Sequence, residues 1–247
     1  MTKRLLVLIP PSLGKSLGGR RHSKEGVFDV VLDEPRHQVL LALGDFVARA
    51  TPRELGVTFN ARGELLERAV EATNEVVLGR ALLAPAWRRY EGIVWSHLDP
   101  VSLTPAQRRR VLVPSGLYGL LSSEDSIADY RLRMNVRLKP LPSLAQFWRP
   151  IVTPLLKDRA KSTTIVNFLP QEHAASVDFQ SLAESHHIVN VHFVGNDEKR
   201  AVGHDAKAIK GVLARHVLTD GLDAIESVAW RGWRVRRQGS DVFVAAP

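Results

Sequence analysis

Apolar and polar positions along this chain fall into blocks that switch between the periods of strand and helix. Leu5-Leu-Val-Leu-Ile9 is an unbroken apolar run ending in Pro10-Pro11, the pattern of a buried strand handing over to a loop. Residues 36–50 space Val39, Leu40, Leu43, Phe46 and Val47 at three- and four-residue intervals, which predicts an amphipathic helix. A second helix is predicted over residues 62–83, with Leu65, Leu66, Ala69, Val76 and Val77 buried. Residues 23–35 are polar and turn-prone. Residues 111–113 and 163–168 read as strands, and residues 188–194 alternate, with Asn190 and His192 on one face. Residues 143–157 read as a helix interrupted near Pro150 and Pro154. Thr104-Pro105 has the chemistry of an N-cap and first helical residue, and Arg108-Arg109-Arg110 then suits the negative C-terminal end.

Toward the end of the chain, a helix opening at Asp205 buries Ile209, Val212, Leu213 and Val217 and gathers Lys207, Lys210, Gly211 and Ala214 on another face. Residues 232–244 read as a hairpin turning at Gly239, its alternation separating Trp233 and Val235 from Arg234 and Arg236. Strand and helix signals interleave with no repeat, low-complexity tract or linker. The expected fold is therefore α/β, of mixed α+β kind. It is a single compact domain over residues 1–247, with a central mixed sheet wrapped by helices and a C-terminal β-hairpin.

Composition narrows the function classes. A chain of 247 residues with 45% hydrophobic content can bury a full core. No apolar run approaches the roughly 18 residues that cross a bilayer, and the first strand is too short for a secretory leader, so a cytoplasmic location and no membrane partner are expected. The absence of cysteine excludes disulfides, thiolate metal sites and cysteine nucleophiles, so any redox role must be indirect. His186-His187 has no carboxylate at metal-ligand spacing, and no metal or cofactor is expected. A net charge of +8 and a pI near 10.1 favour a polyanionic partner, nucleic acid or a phosphate-bearing small molecule.

Candidate chemistry gathers in loops that follow strands. After the first strand come Ser12, Lys15 and Ser16, but Ile9 stands where a phosphate loop needs its first glycine, so an ordinary NTPase is excluded. What remains is an anion-binding corner. The run Val113-Pro-Ser-Gly-Leu-Tyr-Gly119 sets Ser115 and Tyr118 among two glycines, and Tyr130-Arg131 places a phenol beside a guanidinium. Asn167 and Glu172 follow a later strand. Lys207 and Lys210 add positive charge to the N-terminal half of a helix, an arrangement that favours an anion held there.

Ser115-Gly-Leu-Tyr-Gly, Asp125 and Tyr130-Arg131-Leu132 with Met134 and Leu138 resemble the central signature of the YaaA family of peroxide-stress proteins. So do Leu8-Ile9-Pro10-Pro11-Ser12 with Gly14-Lys15-Ser16, Tyr90-Glu-Gly-Ile-Val-Trp95, Phe147-Trp148, Val166-Asn167-Phe168 with Glu172, and Ala206-Lys207 with Lys210-Gly211 and Arg215. These pieces occur in the family's order across almost the whole chain. The resemblance implies a compact, helix-wrapped fold and a protein that binds DNA, protects it during peroxide stress and limits free intracellular iron. It also implies a helix-hairpin-helix element, for which residues 51–83, turning near Leu55-Gly-Val-Thr-Phe-Asn60, are the candidate. Leu13 stands where relatives often carry an acidic residue.

Two function classes follow. The first is a sequence-independent DNA-binding stress protein. The second is an enzyme, a biosynthetic relative among the options, acting on a nucleotide- or nucleobase-like molecule in a cationic cleft. In either case Ser12, Lys15, Ser16, Ser115, Arg131, Asn167, Lys207, Lys210 and Arg215 are expected to contact the anion. In an enzyme, Tyr118, Tyr130 and Glu172 would carry proton transfer.

Overall fold

A computed structural model gives the structure, and it describes residues 4–21, 25–195 and 203–247. Strand β1 (Leu5–Leu8) is followed by helices α1 (Asp29–Arg49), α2 (Pro52–Phe59) and α3 (Glu64–Val77). Next come β2 (Ala84–Pro85), α4 (Ala86–Arg89), α5 (Ile93–Leu98), α6 (Pro105–Arg108), β3 (Val111–Ser115), β4 (Gly119–Ser122) and β5 (Ser126–Ile127). The last part holds α7 (Leu144–Arg159), β6 (Thr164–Asn167), α8 (Gln171–Ala174), α9 (Phe179–Ala183), β7 (Ile188–Val194), α10 (His204–Thr219), β8 (Arg234–Gln238) and β9 (Asp241–Ala245).

Seven strands make one mixed sheet in the order β4-β3-β1-β6-β7-β9-β8, and β2 pairs with β5 in a small second sheet. β1 can lie inside the sheet, between β3 and β6, because all four of its residues are apolar and buried. It runs parallel to β3 on one side, Val7 beside Val111, and to β6 on the other, Leu8 beside Asn167. The loops that leave β1, β3 and β6 therefore emerge at one end of the sheet, where the chain passes from one flank of β1 to the other. That crevice is where open α/β sheets present ligand sites. The antiparallel edges are β4 and β8, and the C-terminal hairpin turns at Gly239 as expected.

Three local expectations are corrected. Helix α1 begins at Asp29 and continues through Pro35, inside the stretch expected to be turn, whose first residues lie outside the described ones. Arg36 anchors it by donating to the carbonyls of Tyr118 and Leu120 and pairing with Asp29 at 2.5 Å, contacts that outweigh the hydrogen bond missing at the proline. α7 is continuous. Pro150 and Pro154 both lie on its exposed side, where freed carbonyls meet water, while Leu144, Ala145, Trp148, Val152 and Leu156 keep an unbroken buried stripe. Leu55-Gly-Val-Thr-Phe59 is helical, within α2, and the turn to α3 falls at residues 60–63 with Asn60 and Gly63 in positive φ. Two further helix starts agree with their capping chemistry. Thr104 and Ser143 each form a capping box with a glutamine three residues on. α10 is preceded by Gly203 at its N-cap position instead, leaving Asp205 to pair with Arg231 at 3.1 Å.

α10 packs closely against α5. Gly211 permits this, because a Cβ there would lie 2.3 Å from the carbonyl oxygen of Val94. The close approach brings the lysine face of α10 up to the crevice.

Candidate functional site

The loop after β1 folds back on itself at Lys15, which bridges to Tyr90, and buries that side chain to 3% exposure. Its Nζ donates to the Ser12 carbonyl at 2.8 Å and sits 3.8 Å from the centre of the Tyr130 ring. Burial pushes the amine down to about 7; Asp129 opposes that fall, and the Arg131, Arg89 and Arg68 guanidinium groups add to it. Behind it runs a chain of hydroxyls. Tyr130 Oη lies 2.7 Å from Ser115 Oγ and 2.8 Å from Tyr90 Oη, and Ser115 Oγ accepts from the Tyr118 amide at 3.1 Å. Burial raises the pKa of all three phenols, so they remain protonated hydrogen-bond donors at neutral pH.

Three arginines lock the loops around this cluster. Arg89, 1% exposed, donates to the carbonyls of Ser16, Gly18, Leu82 and Ile127. Arg131 donates to Phe59, Asn60 and Leu13, tying the end of α2 to the loop after β1. Arg68 pairs with Asp129 at 2.8 Å and donates to the Lys15 carbonyl.

In front of the cluster lies a cleft of about 560 Å³. Its walls come from the loop after β1 (Pro10 to Gly14), the start of α5, the turn into α8, Phe193, and the N-terminal turns of α10. A positive φ at Gly92 lets α5 begin directly above Ser12, whose Oγ would lie 2.7 Å from any Cβ there. Most of the lining is apolar; Ser12, Glu172, His173, Lys207 and Lys210 are the polar exceptions. Lys210 is buried, its Nζ 4.9 Å from the Phe193 ring centre, and Lys207 is exposed. A chamber of about 100 Å³, lined by Ser12, Lys15, Tyr130, Arg133, Glu172 and His173, adjoins the cleft and shares part of its wall. Glu172 Oε1 and His173 Nδ1 are shielded from solvent and have no hydrogen-bond partner among the described residues. Burial lowers the His173 pKa to about 4, so the ring is neutral at physiological pH, and Arg133 approaches Glu172 at 3.5 Å.

The residues expected to share an anion site are thus placed in several different settings. Ser12, Glu172, Lys207 and Lys210 line the cleft, and Lys15 and Tyr130 line the adjoining chamber. Ser115 stands behind Tyr130 in its hydrogen-bond chain, while Tyr118 gives that chain only its backbone amide and its phenol accepts from the Ala128 amide at 3.0 Å. Arg131 is held by three carbonyls, and Ser16 Oγ donates to the Arg88 carbonyl at 3.0 Å. Asn167 joins strand ends, donating to Asn190 and accepting from the Leu169 amide, while Arg215 is exposed and lies 3.7 Å from Asp99. Leu13 lines the cleft where an acidic side chain would add a carboxylate. Sequence reasoning missed Arg89, His173 and Arg133 as parts of this region. His173 had a signal, the Glu-His pair opening a helix just after a strand; nothing in the sequence around Arg89 marked its burial. Among the described residues no group of three His, Asp or Glu could hold a metal ion, and no helix is long and apolar enough to cross a membrane.

Fold and cleft together define the class: a single α/β domain with a cleft outside the carboxyl ends of parallel central strands. Comparison with known proteins is specific about the family. The family model described as "Peroxide stress protein YaaA" matches residues 5–238, and the chain belongs to that family. It is 31% identical over 252 residues to a UPF0246 protein of Streptomyces coelicolor, covering 98% of this chain and 94% of the relative. A UPF0246 protein of Corynebacterium efficiens is 28% identical, covering 89% of this chain and 87% of the relative. One from Caulobacter vibrioides is 33% identical across 56% of each chain.

Proposed function

We propose that this protein serves the peroxide-stress response and that the cleft is its working part, binding and acting on a small anionic molecule of nucleotide- or nucleobase-like character. The observation that carries this reading is a cavity of about 560 Å³ with apolar walls and a few convergent ionisable groups. Small-molecule sites have that size and that lining. In this reading Lys207 and Lys210 attract the anion, Ser12 orients it, and Glu172 is the general base nearest the cationic wall. Tyr130, with Ser115 behind it, donates or relays a proton. A thermal-shift screen of nucleotides, nucleosides and nucleobases on the wild type and Lys207→Ala tests it. A ligand at a hundred times its Kd stabilises the fold by about 2.7 kcal/mol. A hit weakened in Lys207→Ala supports the cleft, and an empty screen overturns this reading.

A second reading rests on charge: a cytoplasmic protein that binds DNA without sequence preference, shields it from oxidative damage and limits free iron. The net charge of +8, with Arg234 and Arg236 exposed on the edge strand β8, favours it. The α2–turn–α3 unit is its candidate hairpin element. Duplex DNA titrated at two salt concentrations decides the matter, because binding through phosphates weakens steeply as salt rises. Undetectable or salt-insensitive binding removes this reading.

A further inference from the structure

We propose that Lys15 is a covalent amine, which condenses with the carbonyl group of a small 2-oxo acid held in the inner chamber. The proposal rests on the reading of the cleft as a small-molecule site and goes beyond it, since it gives the inner chamber its own reactant.

The chamber, about 100 Å³ in volume, is too small for a nucleotide and suits an acid of two or three carbons. Lys15 lies in its wall at 3% exposure, with Arg133, Glu172 and His173 among the other lining residues. A lysine whose task was to attract phosphate would keep its charge in water, whereas desolvation strips the proton and leaves a nucleophile. Every charged neighbour bears on that proton. Arg131, Arg89 and Arg68 drive it off, and Asp129 retains it; burial is the largest influence and leaves the amine half-neutral at about pH 7. Glu172, His173 and Arg133 share the chamber wall, and the rings of Tyr130 and Tyr90 face Nζ itself, their centres 3.8 and 5.3 Å away. Because Nζ already donates to the Ser12 carbonyl at 2.8 Å, its position is fixed without consuming the lone pair.

The remaining groups fit the reaction. Arg133, 3.5 Å from Glu172 and one-third exposed, supplies a cation for the substrate carboxylate. Glu172 Oε1, ion-paired with Arg133 Nε at 3.5 Å but without a hydrogen bond among the described residues, and His173 Nδ1, which has no hydrogen-bond partner among them, can accept and return protons. The Nζ lone pair adds to the substrate C2, and the carbonyl oxygen takes up the proton that Nζ gives to Glu172. As nitrogen forms the C=N bond, Glu172, again a carboxylate, takes the remaining Nζ proton and delivers it to the hydroxyl of the carbinolamine, which leaves as water. Amine and 2-oxo acid give imine and water, with no change of oxidation state.

The test is reductive trapping on the full chain. The protein is incubated with pyruvate or glyoxylate and sodium cyanoborohydride across a pH series, then read by intact mass and peptide mapping. The proposal predicts one reduced adduct per chain, located at Lys15, with a yield that rises through about pH 7. Glu172→Gln, which keeps the amine, should slow its formation by about 100-fold, the loss expected when a proton-transfer group is removed. Lys15→Met should form none. No adduct with either acid, or adducts spread over surface lysines and unchanged in Lys15→Met, would overturn the proposal. Should Lys15→Met fail to fold, the map of the wild-type adduct decides alone. The nucleotide screen can fail while trapping succeeds, so the two readings are separable.

Discussion

The loops around Lys15 and the edge strand β8 carry much the same kind of side chain and treat it in opposite ways. Around Lys15 each cation is committed, and Lys15 and Arg89 are taken out of water: Arg89 binds four carbonyls, Arg131 three, Arg68 pairs with Asp129, and Lys15 itself meets one carbonyl and an aromatic face. Along β8, Arg234 and Arg236 stand in solvent beside a strand whose edge they keep from pairing with another chain. A net charge of +8 is one number covering both regions. The buried cations hold loops in place or have their protonation altered, while the exposed ones are free to meet a polyanion at little cost to the fold.

Substitution should tell the two regions apart, with the largest effect at Arg89. Arg89→Met leaves four carbonyls at the heart of the loop region without their donor and should destabilise the chain by about 4 kcal/mol, measured by urea unfolding. A loss below about 1 kcal/mol would mean that water takes the arginine's place.

Lys15→Met should act in the other direction. Below about pH 7 the amine is protonated both folded and unfolded, so the full cost of burying a cation falls on the native state. Between that pH and about 10.5 the unfolded chain binds the proton and the folded chain does not, so wild-type stability rises with pH across this window. The variant should therefore be more stable than wild type by about 3 kcal/mol in mild acid, after subtracting the missing hydrogen bond and ring interaction, with the advantage shrinking toward pH 10. Unfolding curves at three pH values check both the sign and the slope.

These two positions also show how much of the molecule was legible in sequence. The apolar run at Leu5–Leu8 announced a central strand, and the hairpin at β8–β9 announced itself by alternation around Gly239, because both signals are local. The prolines in α7 misled, since periodicity does not tell whether a proline faces water, where its freed carbonyl is solvated, or the core. Pro35 misled likewise, because the arginine that anchors α1 binds carbonyls some eighty residues away. The residues lining the cleft were largely legible as residues that follow strands. Their environments were not: nothing local distinguishes a lysine made half-neutral by burial among guanidinium groups from distant segments, or an arginine consumed by carbonyls, from the same residue in water.

Smaller effects are expected elsewhere. Tyr130→Phe removes the centre of the hydroxyl chain and leaves Ser115 and Tyr90 to repartner, an expected loss of about 1 kcal/mol with no change in overall charge. In an enzyme the same change should cut turnover far more than it cuts stability, so rate and unfolding measured together separate the roles. Arg234→Ala with Arg236→Ala should change stability by less than about 0.5 kcal/mol. If β8 meets DNA, the pair should lower the slope of log affinity against log salt by about one for each phosphate no longer neutralised. An unchanged slope would place any DNA-binding surface elsewhere on the molecule.

The chemistry assigned to the inner chamber depends on Lys15 being an amine poised near neutrality, and its titration can be followed directly. With the lysine Nζ and Cε labelled and the Lys15 signal assigned by its disappearance in Lys15→Met, NMR across a pH series should show a midpoint near 7. A midpoint near 10.5, the ordinary lysine value, would contradict this: Lys15 would then be a charged and solvated side chain, and the region around it a structural hub without chemistry of its own.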